Sequence, residues 1–120
     1  MSFDVLIQRD AHFMRVKVAG HPSLDQLLSL FHLLAVESET WVHNTLLVDL
    51  RRVESQFTEA EQAEVGREVA ASLAHLRRIA SVVPTHRLTR ISERAAKQNG
   101  MDVCVFDVED DAIDWLAATA

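Results

Sequence analysis

Six polar residues stand at or just after short apolar runs: Asp49, Arg51, Ser81, Thr85, His86 and Asp107. If those runs are parallel strands, all six gather outside the carboxyl ends of one sheet. Open α/β sheets place their ligands there. Asp49, Arg51, Thr85, His86 and Asp107 are therefore the candidate binding residues. An Asp, a His and a Ser are also the ingredients of a nucleophilic triad, in which His takes the hydroxyl proton and Asp orients the His. The chain lacks the strand–nucleophile–helix elbow with flanking glycines that would present such a Ser. The expectation is a protein without enzymatic activity and without a cofactor.

The six histidines are His12, His21, His32, His43, His75 and His86. None forms an i, i+4 pair on one helix, and none neighbours a cysteine at a metal spacing, so no metal site is expected. Cys104 lies inside an apolar strand, which makes it a buried and inert thiol. A single cysteine forms no internal disulfide, and the expected compartment is a reducing cytoplasm. With three glycines in the chain there is no phosphate-cradling loop. Gly66 falls in mid-helix, where a neighbouring element would approach closely.

Arg87, Arg90, Arg94 and Lys97 are spaced three, four and three apart, which makes a basic stripe on a helix. Six acids and no base follow within residues 102–114. Such a bipolar surface can steer a charged partner. It can also be two solvated helices that pair with one another, which is the reading preferred because exposed charges usually contribute little. The net charge of −6 argues against general nucleic-acid binding.

These residues need a scaffold. Apolar residues are 48% and charged residues 25%, ordinary values for one compact domain, so residues 1–120 are read as a single domain. Phe3 to Ile7 and Phe13 to Val18 alternate with a period near two, around the polar turn Arg9-Asp10-Ala11-His12. That is a half-solvated antiparallel hairpin. Leu46 to Leu50, Ile79 to Val83 and Val103 to Val108 are three more strands, with stretches of helical period between them. The fold class is α/β: a five-stranded mixed, mainly parallel sheet with about four helices. Nothing is long and apolar enough to span a membrane. The chain opens directly on a strand, without the basic region and apolar core of a secretory leader.

Helix one is expected over about Leu24 to Ser38, with Ser23 and Gln26 as its capping box. Its core stripe is Leu24, Leu27, Leu28, Phe31, Leu34 and Ala35. Leu30, Leu33 and Val36 widen that stripe beyond one face, so the helix is either wedged between the sheet and a neighbouring element or presents these three as the candidate interface, toward a second copy or an apolar ligand. Helix two follows the capping-box sequence Thr58-Glu59-Ala60-Glu61. Helix three spans about His86 to Gln98 and stops at Asn99-Gly100. A last helix opens at Glu109, Asp110 or Asp111 and buries Ile113, Trp115 or Leu116.

The segment Asp49-Leu50-Arg51-Arg52-Val53 ends a strand with Asp-Leu, places a Val three residues on, and leads to a capped helix. It resembles STAS domains, the fold of anti-sigma-factor antagonists. The terminal strand with Asp111-Ala112-Ile113-Asp114-Trp115-Leu116 is similar to the SpoIIAA-like branch, often grouped with lipid-binding CRAL-TRIO domains. The resemblance implies a non-enzymatic regulatory or protein-interaction module of bacterial type. The alternative is a small carrier or sensor of an apolar, lipid-like ligand. The switch version of the family implies Asp-Ser-Ser-Gly at the start of helix two. Phe57, Thr58, Glu59 and Ala60 occupy those positions here, and of these Thr58 keeps a hydroxyl. Thr58 is thus the phosphorylation candidate. A helix N-terminus favours its phosphate, while Glu59 and Glu61 oppose it.

Overall fold

A computed structural model describes residues 3–118. Strands β1 (Phe3–Arg9) and β2 (Met14–Gly20) pair antiparallel, with Val5 opposite Val18. Then β3 (Thr45–Val53), β4 (Arg78–Val82) and β5 (Val103–Phe106) add in parallel, in the order β1-β2-β3-β4-β5. Helices α1 (Leu24–Glu37), α2 (Glu59–Ser72) and α3 (Ile91–Gln98) fill the three parallel crossovers, and α4 (Glu109–Ala117) closes the described chain. The expected mixed, mainly parallel α/β sheet with four helices is what forms.

Alternation along each strand divides the core. Val16, Val18, Leu46, Val48, Ile79 and Val103 face α1, α2 and α3. Leu47, Ala80 and Val82 face Ala112 and Leu116 of α4 on the other side. Two cations fasten the C-terminus of α4. Arg78 donates to the Trp115 carbonyl at 2.7 Å and Arg77 to the Leu116 carbonyl at 2.8 Å, satisfying acceptors that a helix end leaves open.

Several boundaries differ from the sequence expectation. β3 runs on through Arg51 and Arg52 to Val53, because β2 keeps pairing with it past an irregularity between Lys17 and Ala19. Helix three begins at Ile91, not His86. Pro84 leads into a short 3-10 turn, Thr85–Arg87, and Leu88 is extended. The side chains that could have continued a helix are engaged elsewhere. Thr89 donates to Gln62 of α2, and Arg87 reaches across to the carbonyl of Val53. Gly100 then ends α3 at φ 88°, a left-handed position suited to glycine.

The width of helix one resolves into two roles. Leu27, Leu30, Phe31 and Leu34 are buried, whereas Leu33 is 55% and Val36 65% exposed. Leu30, at 5% exposure, is therefore a core residue and not part of the free surface. It points between α1 and the hairpin, so β1 covers a flank that the sequence pattern left open.

Candidate functional site

The central feature is a cavity of about 430 Å³ between the sheet and the three helices on its covered face. Val48, Leu50, Ile79, Val103 and Val105 form the sheet wall, while Leu27, Phe31, Val65 and Val69 form the helical walls. Small residues leave the room: Gly66 of α2 and Ser92 and Ala96 of α3 line it as well. Natural interiors hold few voids larger than a water molecule. A concave, mainly apolar space of several hundred Å³ is instead the size of small-ligand sites.

Polar groups enter this space at defined places. Ser81 stands in mid-strand on β4, between Val48 of β3 and Val105 of β5. Its half-buried hydroxyl has no hydrogen-bond partner among the described residues. Near the lip, Thr89 Oγ1 donates to Gln62 Oε1 at 2.5 Å, and Gln62 Nε2 donates to the Phe57 carbonyl at 3.0 Å. The exposed lining residues Gln56 and His86 mark the mouth. Arg87 is half-buried beside them. It donates to the carbonyls of Val53, Glu54 and Ser55, which ties the 3-10 turn to the end of β3.

A second polar group lies on the α4 face. Asp49 is 8% exposed and accepts from the Arg51 backbone N–H at 3.1 Å, Nε at 3.0 Å and Nη2 at 2.8 Å. Residues two apart on a strand share a face, which is why this forked pair can form. Arg51 Nη2 also meets Glu109 at 2.7 Å, and Arg15 bridges Glu109 at 3.0 Å and Asp10 at 2.8 Å. Burial pushes the Asp49 carboxyl up, but the Arg51 hydrogen bonds and the charges of Arg51 and Lys17 outweigh it and hold the group below its ordinary range. Asp49 and Glu109 likewise raise Arg51. This cluster fastens the first turn of α4 to β2 and β3.

The five binding candidates therefore do not converge. Asp49 and Arg51 lie in the α4-side cluster. His86 sits at the cavity mouth on the opposite face, and Thr85 is exposed in the 3-10 turn beside it. Asp107 is exposed in the turn between β5 and α4. The basic stripe is also broken. Arg87 precedes α3 and Arg90 is its N-cap, so only Arg94 and Lys97 lie within the helix. Arg90 and Lys97 are drawn to Glu93 at 2.9 and 3.6 Å, and Arg94 donates to the Arg90 carbonyl at 3.3 Å.

Glu93 escaped the sequence reading. It is 8% exposed and accepts from the Val105 N–H at 2.9 Å, so a buried carboxylate ties α3 to β5. Its signal was an acid on the inward face of a helix otherwise lined by alanines. Thr58 forms the capping box: its Oγ1 accepts from the Glu61 N–H at 3.2 Å and Glu61 Oε1 accepts from the Thr58 N–H at 2.8 Å. Thr58 is an exposed residue whose hydroxyl oxygen is the acceptor of this cap. Among the described residues, no group of three or more metal-ligating side chains gathers, and no helix is long and apolar enough to cross a membrane.

A hairpin-led sheet with three helices on one face and one on the other is a fold shared with solved bacterial proteins. An anti-sigma factor antagonist from Mycobacterium paratuberculosis superimposes with a TM-score of 0.62 at 16% identity, covering 98% of this chain and 96% of that one. An uncharacterized protein from the DUF3478 family of Shewanella loihica PV-4, with a SpoIIAA-like fold, superimposes with a TM-score of 0.61 at 15% identity, covering 97% and 94%. A comparison with curated proteins gives no match. The SpoIIAA-like family model matches residues 13–117, and the chain belongs to that family.

Proposed function

We propose that residues 1–120 act as one non-enzymatic regulatory module of bacterial type that works by binding a protein along the β1–α1 edge. The observation that carries this is an apolar edge with an open strand. β1 is the outer strand of the sheet, and Val5 (37%) and Leu6 (50%) are exposed on its two faces. Val5 and Leu33 line one groove of about 390 Å³ with Phe3 and Leu30, and Val36 lies one turn further along α1. An unpaired edge strand presents backbone donors and acceptors to an incoming strand. A second copy suits this edge. Two-fold pairing of β1 about Leu6 would set Leu6 against its copy and Val5 against Ile7, so one patch serves twice.

Sedimentation equilibrium tests this reading. The wild type is expected to dimerise, and Leu6→Lys with Leu33→Glu to give a folded monomer by circular dichroism. A wild type that stays monomeric at high concentration overturns it.

The cavity favours a second reading, a small carrier or sensor of an apolar ligand. Its volume and its Val, Leu and Phe walls support that role. Native mass spectrometry of untagged protein from cells should then show a retained small molecule. The two readings are compatible, since the groove and the cavity lie on opposite flanks of α1: Leu30 and Leu33 line one, Leu27 and Phe31 the other.

A further inference from the structure

Arg87 brings a positive charge to the lip of an apolar cavity without a matching acid. Its guanidinium donates to three carbonyl oxygens, of Val53, Glu54 and Ser55. No carboxylate lies within ion-pair distance of it among the described residues. Carbonyl dipoles orient a guanidinium but leave its charge unpaired. Nη1 makes two of these bonds and Nη2 one, so Nε–H and a second Nη2–H remain of the five donors. Planar donors of this kind match the two oxygens of a carboxylate. His86 lines the same mouth and adds charge when protonated.

We infer that the cavity between the sheet and α1, α2 and α3 binds a small apolar acid, its hydrocarbon body against Val48, Phe31, Val69 and Val105 and its carboxylate at Arg87. This rests on the carrier-or-sensor reading and specifies its ligand. Three features agree on one orientation. The deep walls are apolar, so a charged head is excluded from them by desolvation. The cation is at the lip, where a head remains partly solvated. The tie from Arg87 to the end of β3 fixes the guanidinium before any ligand arrives, and such preorganisation lowers the ordering cost of binding. Ser81, free in mid-wall, offers one hydrogen bond to an oxygen carried further along the ligand.

Titration calorimetry with decanoate and decanol separates head from body, because the two probes share a chain. Decanoate should bind one to one and about tenfold or more tighter than decanol, the size of one charge-assisted contact. Arg87→Gln should remove that preference and leave decanol binding unchanged, and Arg87→Lys should restore part of it. A merely structural role for Arg87 would weaken both probes alike. Backbone amide shifts at Val48, Ser81 and Val105 on adding decanoate should locate the probe without any substitution. Ser81→Leu should fill the space and abolish both. Equal affinity for decanoate and decanol, unaltered by Arg87→Gln, would overturn the acid assignment and leave the cavity reading standing. Absence of binding by both probes, or shifts confined to other faces, would overturn both.

Discussion

The Ser92 carbonyl oxygen occupies the space that a side chain on residue 66 would need. A Cβ placed on Gly66 would stand 2.2 Å from that oxygen and 2.9 Å from the Ala95 Cβ. Helices α2 and α3 thus touch backbone to backbone at this point, and their contact forms one wall of the cavity.

Gly66→Ala should therefore destabilise the protein. In an open helix the change would stabilise by about 0.5–1 kcal/mol. Here the obstructing atom is backbone, and overpacking of this kind costs about 1–3 kcal/mol. The clash exceeds the propensity gain, so the urea midpoint should fall. A midpoint that rises would mean that α2 and α3 are free to separate.

Thr58→Ala should lower stability by about 0.5–2 kcal/mol, since it removes the acceptor for the Glu61 N–H. Thr58→Asp keeps a capping oxygen and should stay close to wild type. Chemical denaturation of the three proteins checks this. An unchanged midpoint for the alanine variant would show that the reciprocal Thr58–Glu61 pair contributes nothing.

Glu93 should leave a mark in acid. Burial pushes its carboxyl up, but hydrogen bonds from the Val105 N–H, Arg90 and Cys104, with the charge of Lys97, bring it below its ordinary value. A carboxylate whose folded pKa is lowered contributes stability that is present above the unfolded value, about 4.3, and is lost as pH falls through the folded one. Glu93→Gln should thus be destabilised most at neutral pH, and its deficit should shrink below about pH 4. Asp49 shifts in the same direction, so some acid sensitivity remains in the variant. A deficit that is constant from neutral pH to pH 3 would contradict this role.

Leu30 and Leu33 are neighbours in sequence terms but differ in burial, 5% against 55%. Leu30→Ala should cost about 2–5 kcal/mol as a core truncation. Leu33→Ala should fall within about 0.5 kcal/mol of the wild-type monomer. Thermal melts at low concentration, where self-association is absent, make the comparison. Equal losses would place both side chains in the core.

The fold was legible because its cues were local. Alternation in the hairpin, the Ser23 and Thr58 capping boxes, Asn99-Gly100 and the apolar runs of β3 to β5 each point to one conformation. Gly66 also marked a close approach between helices. What stayed hidden depends on tertiary partners. Helix three loses its first turn because Arg87 and Thr89 bond to the β3 end and to α2, contacts that no helical period reports. The basic stripe dissolves because Glu93 turns inward and takes up Arg90 and Lys97. The strand-end residues separate because alternation sends Asp49 and Arg51 to the α4 face, while His86 follows the chain to the other. The cavity is a matter of side chains that fail to meet, and its sequence trace is faint: Ser81 within an apolar strand, Gly66 and Ala96 on facing helices.

Hydrogen exchange at the β1 amides, followed against protein concentration, tests the central claim most directly. If the module binds a second copy along β1, these amides should gain protection as concentration rises, with Leu6→Lys abolishing the gain while β3 and β4 stay protected throughout. Amides of β1 that exchange at the same rate at every concentration would show that this edge binds no second copy.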